Sequence, residues 1–112
     1  MQLMTKEIKT KLLRNGDVTN RGNDHKPVVK FFGGGACMWL ITEMDSADDD
    51  TLYGLCDLGL GYPELGYVSL EELKSLKFPP FGLGVERDKY FQPKMTLNEY
   101  YHQAVRRQQI MG

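Results

Sequence analysis

No stretch constrains the fold of this chain more than Cys37–Leu58. Cys37–Met44 is almost continuously apolar, Asp45–Asp50 holds four aspartates, and Thr51–Leu58 returns as a second apolar run. Two strand-length segments rich in β-branched and aromatic residues, joined by a polar turn, predict a β-hairpin. The first segment does not alternate with polar residues, so both of its faces are expected to be covered. A symmetric turn sets Trp39 opposite Cys56 and Ile41 opposite Gly54, and would let the indole of Trp39 lie over bare backbone at Gly54.

The flanking segments add helices and further strands. Met4, Ile8 and Leu12 recur at helical spacing, which predicts a helix over Thr5–Arg14. Gly16 is expected to end it in the left-handed conformation. Residues 15–27 form a long polar loop, and loops of that length are functional or disordered. Val28–Phe32 reads as a strand broken by Gly33-Gly34-Gly35, and Leu65–Val68 as a short strand. Ser69 with Glu72 is a capping box opening a helix over Leu70–Lys77, stopped by Phe78-Pro79-Pro80. Val85–Phe91 suits a charged edge strand. Thr96 with Glu99 is a second capping box, and Leu97, Tyr100, Tyr101, Ala104 and Val105 then share one helical face. The expectation is one α+β domain over 1–112. It has a mostly antiparallel sheet of about four or five strands with a central hairpin, packed by N- and C-terminal helices and one short helix.

Charge is unevenly distributed. The net charge is −1, yet residues 31–72 hold nine Asp/Glu and no Lys/Arg. Residues 1–30 and 73–112 each hold seven Lys/Arg against three Asp/Glu. The basic flanks either pack beside the acidic centre or converge into a basic patch. Lys6, Glu7, Lys9 and Lys11 stand where the apolar part of a signal peptide would lie, and no apolar run approaches bilayer-spanning length. A cytoplasmic location with no membrane association is expected, with Cys37 and Cys56 reduced.

Few residues are grouped as chemistry requires. Gly33-Gly34-Gly35 is followed by Ala36-Cys37-Met38, not by the Lys-Ser/Thr of a phosphate loop. Gly59-Leu60-Gly61 has Glu64 where a dinucleotide-binding loop has its third glycine. Asp45, Asp48, Asp49 and Asp50 lack the glycine and glutamate of a calcium-binding loop and read as a solvated hairpin tip. Cys37 and Cys56 fit small core residues, and His25 and His102 are too remote to complete a zinc site. No metal, cofactor or catalytic set is assigned. Asp57 interrupts an apolar strand end, and a charge there needs a partner; capping of the following turn is the simplest one. Tyr53, Tyr62, Tyr67, Tyr90 and Phe91 occur near Arg87, Lys89 and Lys94. Interleaved aromatic and basic residues can stack and steer single-stranded nucleic acid.

Three segments resemble the domain of unknown function 2958 family: Trp39–Asp45, Tyr53–Leu70 and Glu86–Phe91. The resemblance spans Lys30 to Lys94, and the run from Tyr53 to Leu70 carries most of it. It implies a small bacterial protein, often encoded on plasmids or other mobile elements, without an assigned activity. Candidate binding residues are Asp57, Gly59, Gly61, Tyr62, Glu64, Arg87 and Lys89. The first expectation is a non-enzymatic module that holds a protein partner through the Asp57–Gly66 segment. The alternatives are a nucleic-acid-binding accessory protein using the basic flanks, and a small enzyme using Asp57, Glu43 or Glu64.

Overall fold

A computed structural model describes residues 2–111. The elements run α1 (Lys6–Asn15), β1 (Val29–Gly33), β2 (Cys37–Met44), β3 (Thr51–Asp57), β4 (Glu64–Ser69), α2 (Leu70–Ser75), β5 (Glu86–Arg87) and α3 (Leu97–Arg107). The five strands form one antiparallel sheet in the order β4-β3-β2-β1-β5. The α+β architecture, the central hairpin and the helices expected near both termini are all present.

Both faces of β2 are covered, as its apolar run demands. One core joins Val29, Phe31, Trp39, Ile41, Met44 and Leu52 to Leu12 of α1 and Leu70 and Leu73 of α2. The other joins Leu40 and Leu55 to Leu97, Tyr100 and Ala104 of α3. The sheet is therefore the middle of three layers. Trp39 pairs with Cys56 and Ile41 with Gly54, in the expected register. The register then shifts between Ile41 and Glu43. That bulge changes the phase of the strand by one residue. Strict alternation from Trp39 and Ile41 would drive Glu43 into the first core; the bulge instead sets Glu43 opposite Tyr53 and buries Met44. Buried Thr42, the bulged residue, donates its hydroxyl to Tyr53 O at 3.3 Å, while its carbonyl accepts from Asn15 Nδ2 at 3.0 Å.

Two glycines have reasons other than those expected. Gly16 ends α1 with φ −86°, not left-handed. A Cβ there would stand 2.1 Å from Met44 O, so the glycine serves close approach of the helix end to β2. A Cβ on Gly54 would stand 2.0 Å from Leu40 O. The neighbouring backbone, more than the indole of Trp39, requires that glycine.

Other boundaries differ from expectation for local reasons. α2 ends at Ser75, because Leu76 turns extended with ψ 135°. The turn at Gly33-Gly34-Gly35 is packed against Phe78: Cβ atoms added at Gly33 and Gly34 would come within 2.5 and 2.7 Å of its ring. The acidic turn is organised by its own carboxylates. Asp48 accepts from the amides of Asp50 and Thr51 and from the Thr51 hydroxyl, which holds its pKa below the usual range. Asp50 accepts from Ser69 Oγ and from the amide of Glu71 at the start of α2. Asp49 meets Lys9 at 3.4 Å. Part of the basic flank thus does pack against the acidic centre. Residues 17–27 cross from α1 to α3, where His25 O accepts from the amide of Leu97 and Asp24 Oδ1 from that of Asn98.

Candidate functional site

The expected edge strand Val85–Phe91 is reduced to Glu86–Arg87, paired with Phe32 and Phe31 of β1. Asp88 ends it. Its amide donates to Lys30 O at 3.0 Å, its carboxylate accepts from the amide of Tyr90 at 2.9 Å, and it meets Lys30 Nζ at 3.7 Å. The chain is thereby turned off the edge, and Tyr90 is left 90% exposed on a turn tied to β1.

The turn forms one wall of an open cavity of about 650 Å³. Lys30 and Phe32 from β1, Gly35 and Ala36 from the glycine turn, Met38 from β2, and Arg87, Lys89 and Tyr90 line it. Three cations and two aromatics thus surround one space, with Asp88 the one carboxylate among the lining residues. A second cavity of about 500 Å³ shares Asp88 and Tyr90 with the first and adds Lys94, Phe91 and Gln103. Arg106 and Arg107, in the last turn of α3, line neither.

The other expected residues sit beside this groove or beyond it. Asp57 is 4% exposed at the end of β3. Its Oδ1 accepts from the amide of Gly59 at 2.8 Å and its Oδ2 from the amide of Ile110 at 2.9 Å. The carboxylate caps the turn after β3 and fastens the segment following α3 to the sheet. Gly59 and Gly61 have φ of +80° and +88°, and a Cβ on Gly59 would press on Ala36 at 2.5 Å. This loop therefore abuts the glycine turn that lines the groove. Tyr62 is exposed at its tip, and Glu64 opens β4. The antiparallel strands bring both halves of the expected site to one end of the sheet, but only Arg87 and Lys89 enter the groove.

The three carboxylates considered for catalysis are kept apart. Glu43 lines a cavity with Tyr53 and Asn98, Glu64 lines one beside α2, and Asp57 is engaged by two amides. Among the described residues no three His, Cys, Asp or Glu side chains are grouped to hold a metal ion, and no helix is long and apolar enough to cross a membrane.

Of the aromatics, Tyr53 and Tyr67 pair with each other across β3 and β4, ring centroids 5.0 Å apart. Burial, then Tyr67 and Glu43, push the Tyr53 hydroxyl pKa up. Tyr90 alone of the five lines the first cavity with Arg87 and Lys89. Sequence reasoning missed Lys30 and Phe32. Their signal is the alternation within β1, where Val29 and Phe31 are buried and Lys30 and Phe32 face the other way. Cys37 and Cys56 are free, half-buried thiols. Burial is the main cause that raises both pKa values, and Cys56 reaches about 11.

These features define a small three-layer α+β protein with a basic, aromatic groove at one edge of its sheet. The chain belongs to the family described as Protein of unknown function (DUF2958), which matches residues 3–111. Neither a curated protein nor a solved structure matches it.

Proposed function

We propose that the chain binds single-stranded nucleic acid along the groove at the β5 edge. The observation that carries this reading is the convergence of Lys30, Arg87 and Lys89 with Phe32 and exposed Tyr90 around one cavity. Cations that track phosphates beside aromatic faces that accept bases are what sequence-tolerant single-strand binding requires. Lys94 in the adjoining cavity extends the track past Tyr90.

Fluorescence anisotropy of labelled oligothymidylate and oligouridylate across a salt series tests it. Binding is expected to weaken with salt, with a log–log slope of about −1.4 for two phosphates neutralised at exposed Lys89 and Lys94, Lys30 being paired with Asp88. Tyr90→Ala is expected to cost about 1–3 kcal/mol of affinity, the range for one stacked base. No binding at low salt, or full affinity in Tyr90→Ala with Lys89→Ala, refutes the reading.

A protein partner is a second reading, supported by a different surface. Leu58, Leu60 and Tyr62 are exposed together on the loop that Asp57 holds in place. Exposed apolar groups on a fixed loop suit docking. Replacing Leu60 and Tyr62 by serine is expected to abolish capture of such a partner while the urea midpoint is unchanged.

A further inference from the structure

The sheet has a second edge, β4, whose outer backbone groups face away from β3. Natural edges are blunted by lysine, proline or bulges. β4 (Glu-Leu-Gly-Tyr-Val-Ser) contains none of these, and its one charge is Glu64 at the start. Beside it, on the α2 side of the sheet, runs an apolar trough of about 310 Å³. The register creates the trough. Gly66 pairs with Gly54, and Gly54 with Ile41, so two neighbouring positions on that face carry no side chain. Trp39 and Ile41 line the trough together with Leu73 of α2.

The two glycines are not equivalent. Gly54 is demanded by Leu40 O, as described above. At Gly66 an added Cβ meets nothing within 4 Å, and the backbone there is not left-handed. Nothing inside the chain requires that position to be bare. A glycine in a strand also marks a place where another chain comes close.

We propose that β4 is extended by a segment of a partner protein, a strand with a bulky apolar side chain flanked by Lys or Arg. This rests on the reading of the chain as a protein-docking module and names the edge and the partner chemistry. Strand addition supplies main-chain hydrogen bonds, and a pocket for alternate side chains supplies selectivity. The apolar side chain enters the trough over Gly66. The charged residues lining the trough are Glu64 and Glu72, both acidic, so the flanking positions select cations. A second copy of this chain is disfavoured by the same charges. Two β4 strands paired about their midpoint would set Glu64 of each opposite Ser69 of the other, whose hydroxyl already donates to Asp50 at 2.6 Å.

The test is a titration of the isotope-labelled full chain with the peptide Lys-Thr-Val-Thr-Phe-Thr-Val-Thr-Lys and with its Glu-ended counterpart, followed by amide chemical shifts. Saturable shifts are expected at Leu65–Ser69 and around Leu73, with the Lys-ended peptide bound about tenfold or more tightly than the other, the factor that 1.4 kcal/mol represents. Gly66→Val fills the trough and is expected to weaken that peptide by a similar factor while leaving the urea midpoint unchanged or raised. No saturable shift, equal affinity for the two peptides, indifference to Gly66→Val, or a dimer by sedimentation overturns the proposal. The Leu60→Ser, Tyr62→Ser variant separates it from the broader reading. Loss of binding there without loss in Gly66→Val refutes strand addition and leaves loop docking standing; loss in neither removes both.

Discussion

At the β5 edge, Lys30, Arg87 and Lys89 line one cavity with Phe32 and Tyr90, Lys30 and Phe32 standing on the α3 face of β1. At the β4 edge, Glu64 and Glu72 border Trp39, Ile41 and Leu73 on the α2 side. The two hollows arise in different ways. The first exists because β5 stops after two residues and Asp88 swings the chain outward. The second exists because Gly54 and Gly66 are register partners. One is built by a loop added to the sheet, the other by side chains withheld from it. A loop-built hollow can be altered at exposed positions with little effect on the fold. A register-built hollow shares residues with the core, so its substitutions fall into two classes, those the fold forbids and those it permits.

Asp57 stands between the two regions, and its loss has the largest expected effect. Asp57→Ala leaves the buried amide of Ile110 and the part-buried amide of Gly59 without their acceptor. The expected cost is about 3 kcal/mol in urea unfolding. Because the loop it holds abuts Ala36, amide shifts should spread into the groove lining as well as to Ile110. A cost under about 1 kcal/mol would show that the carboxylate is not chiefly a cap and would reopen a chemical role for it.

Gly54 and Gly66 give the next contrast. Gly54→Ala presses a methyl group on Leu40 O and is expected to cost about 2–3 kcal/mol, as overpacked positions do. Gly66→Ala is expected to stabilise by about 0.5 kcal/mol, because a strand glycine loses more chain entropy on folding than alanine. Equal costs at the two positions would mean that the trough is a packing requirement throughout.

Much of this contrast was legible in the sequence, and its limits have physical causes. The Trp39–Cys56 register followed from matching two apolar runs across a polar turn, since a slip by one residue would reverse every face. The capping box at Thr96 was legible because its partners are three residues apart, and the structure has both of its hydrogen bonds. The caps supplied by Asp50, Asp24 and Asp57 to distant amides were not, because they join segments remote in sequence. Local interleaving of charge and aromatics points to Arg87 and Lys89 as candidates. Lys30 and Phe32 could not be joined to them without knowing that β5 pairs with β1. The place of Gly16 after a helix suggests a left-handed φ, whereas the reason for the glycine lies across the core at Met44 O.

At the groove, Lys89→Ala is expected to make the salt slope of single-strand binding shallower by about 0.7, one phosphate contact. It should do so without changing the urea midpoint, since Lys89 is exposed. The same substitution is expected to leave peptide binding at β4 unaltered. If it changes both, the two edges are coupled and do not act as separate surfaces.

The smallest effect uses the thiols, because Cys37 lines the groove and Cys56 the trough. Burial pushes the Cys56 thiol from 9.0 to about 11; Cys37 and the carboxylates of Asp57 and Glu64 push it the same way, against a hydrogen bond involving Trp39. Cys37 is raised by burial and by Asp57. Thiolate is the reacting form, so both should alkylate slowly at neutral pH. The folded state holds the Cys56 proton more tightly than the unfolded chain. Its contribution to stability is therefore fully present below pH 9 and falls as pH rises towards about 11. The difference between wild type and Cys56→Ala in urea midpoint should follow that window. Oligonucleotide is expected to slow iodoacetamide modification of Cys37 and not of Cys56, and the Lys-ended peptide to do the reverse. Protection of both thiols by either ligand would merge the two surfaces into one.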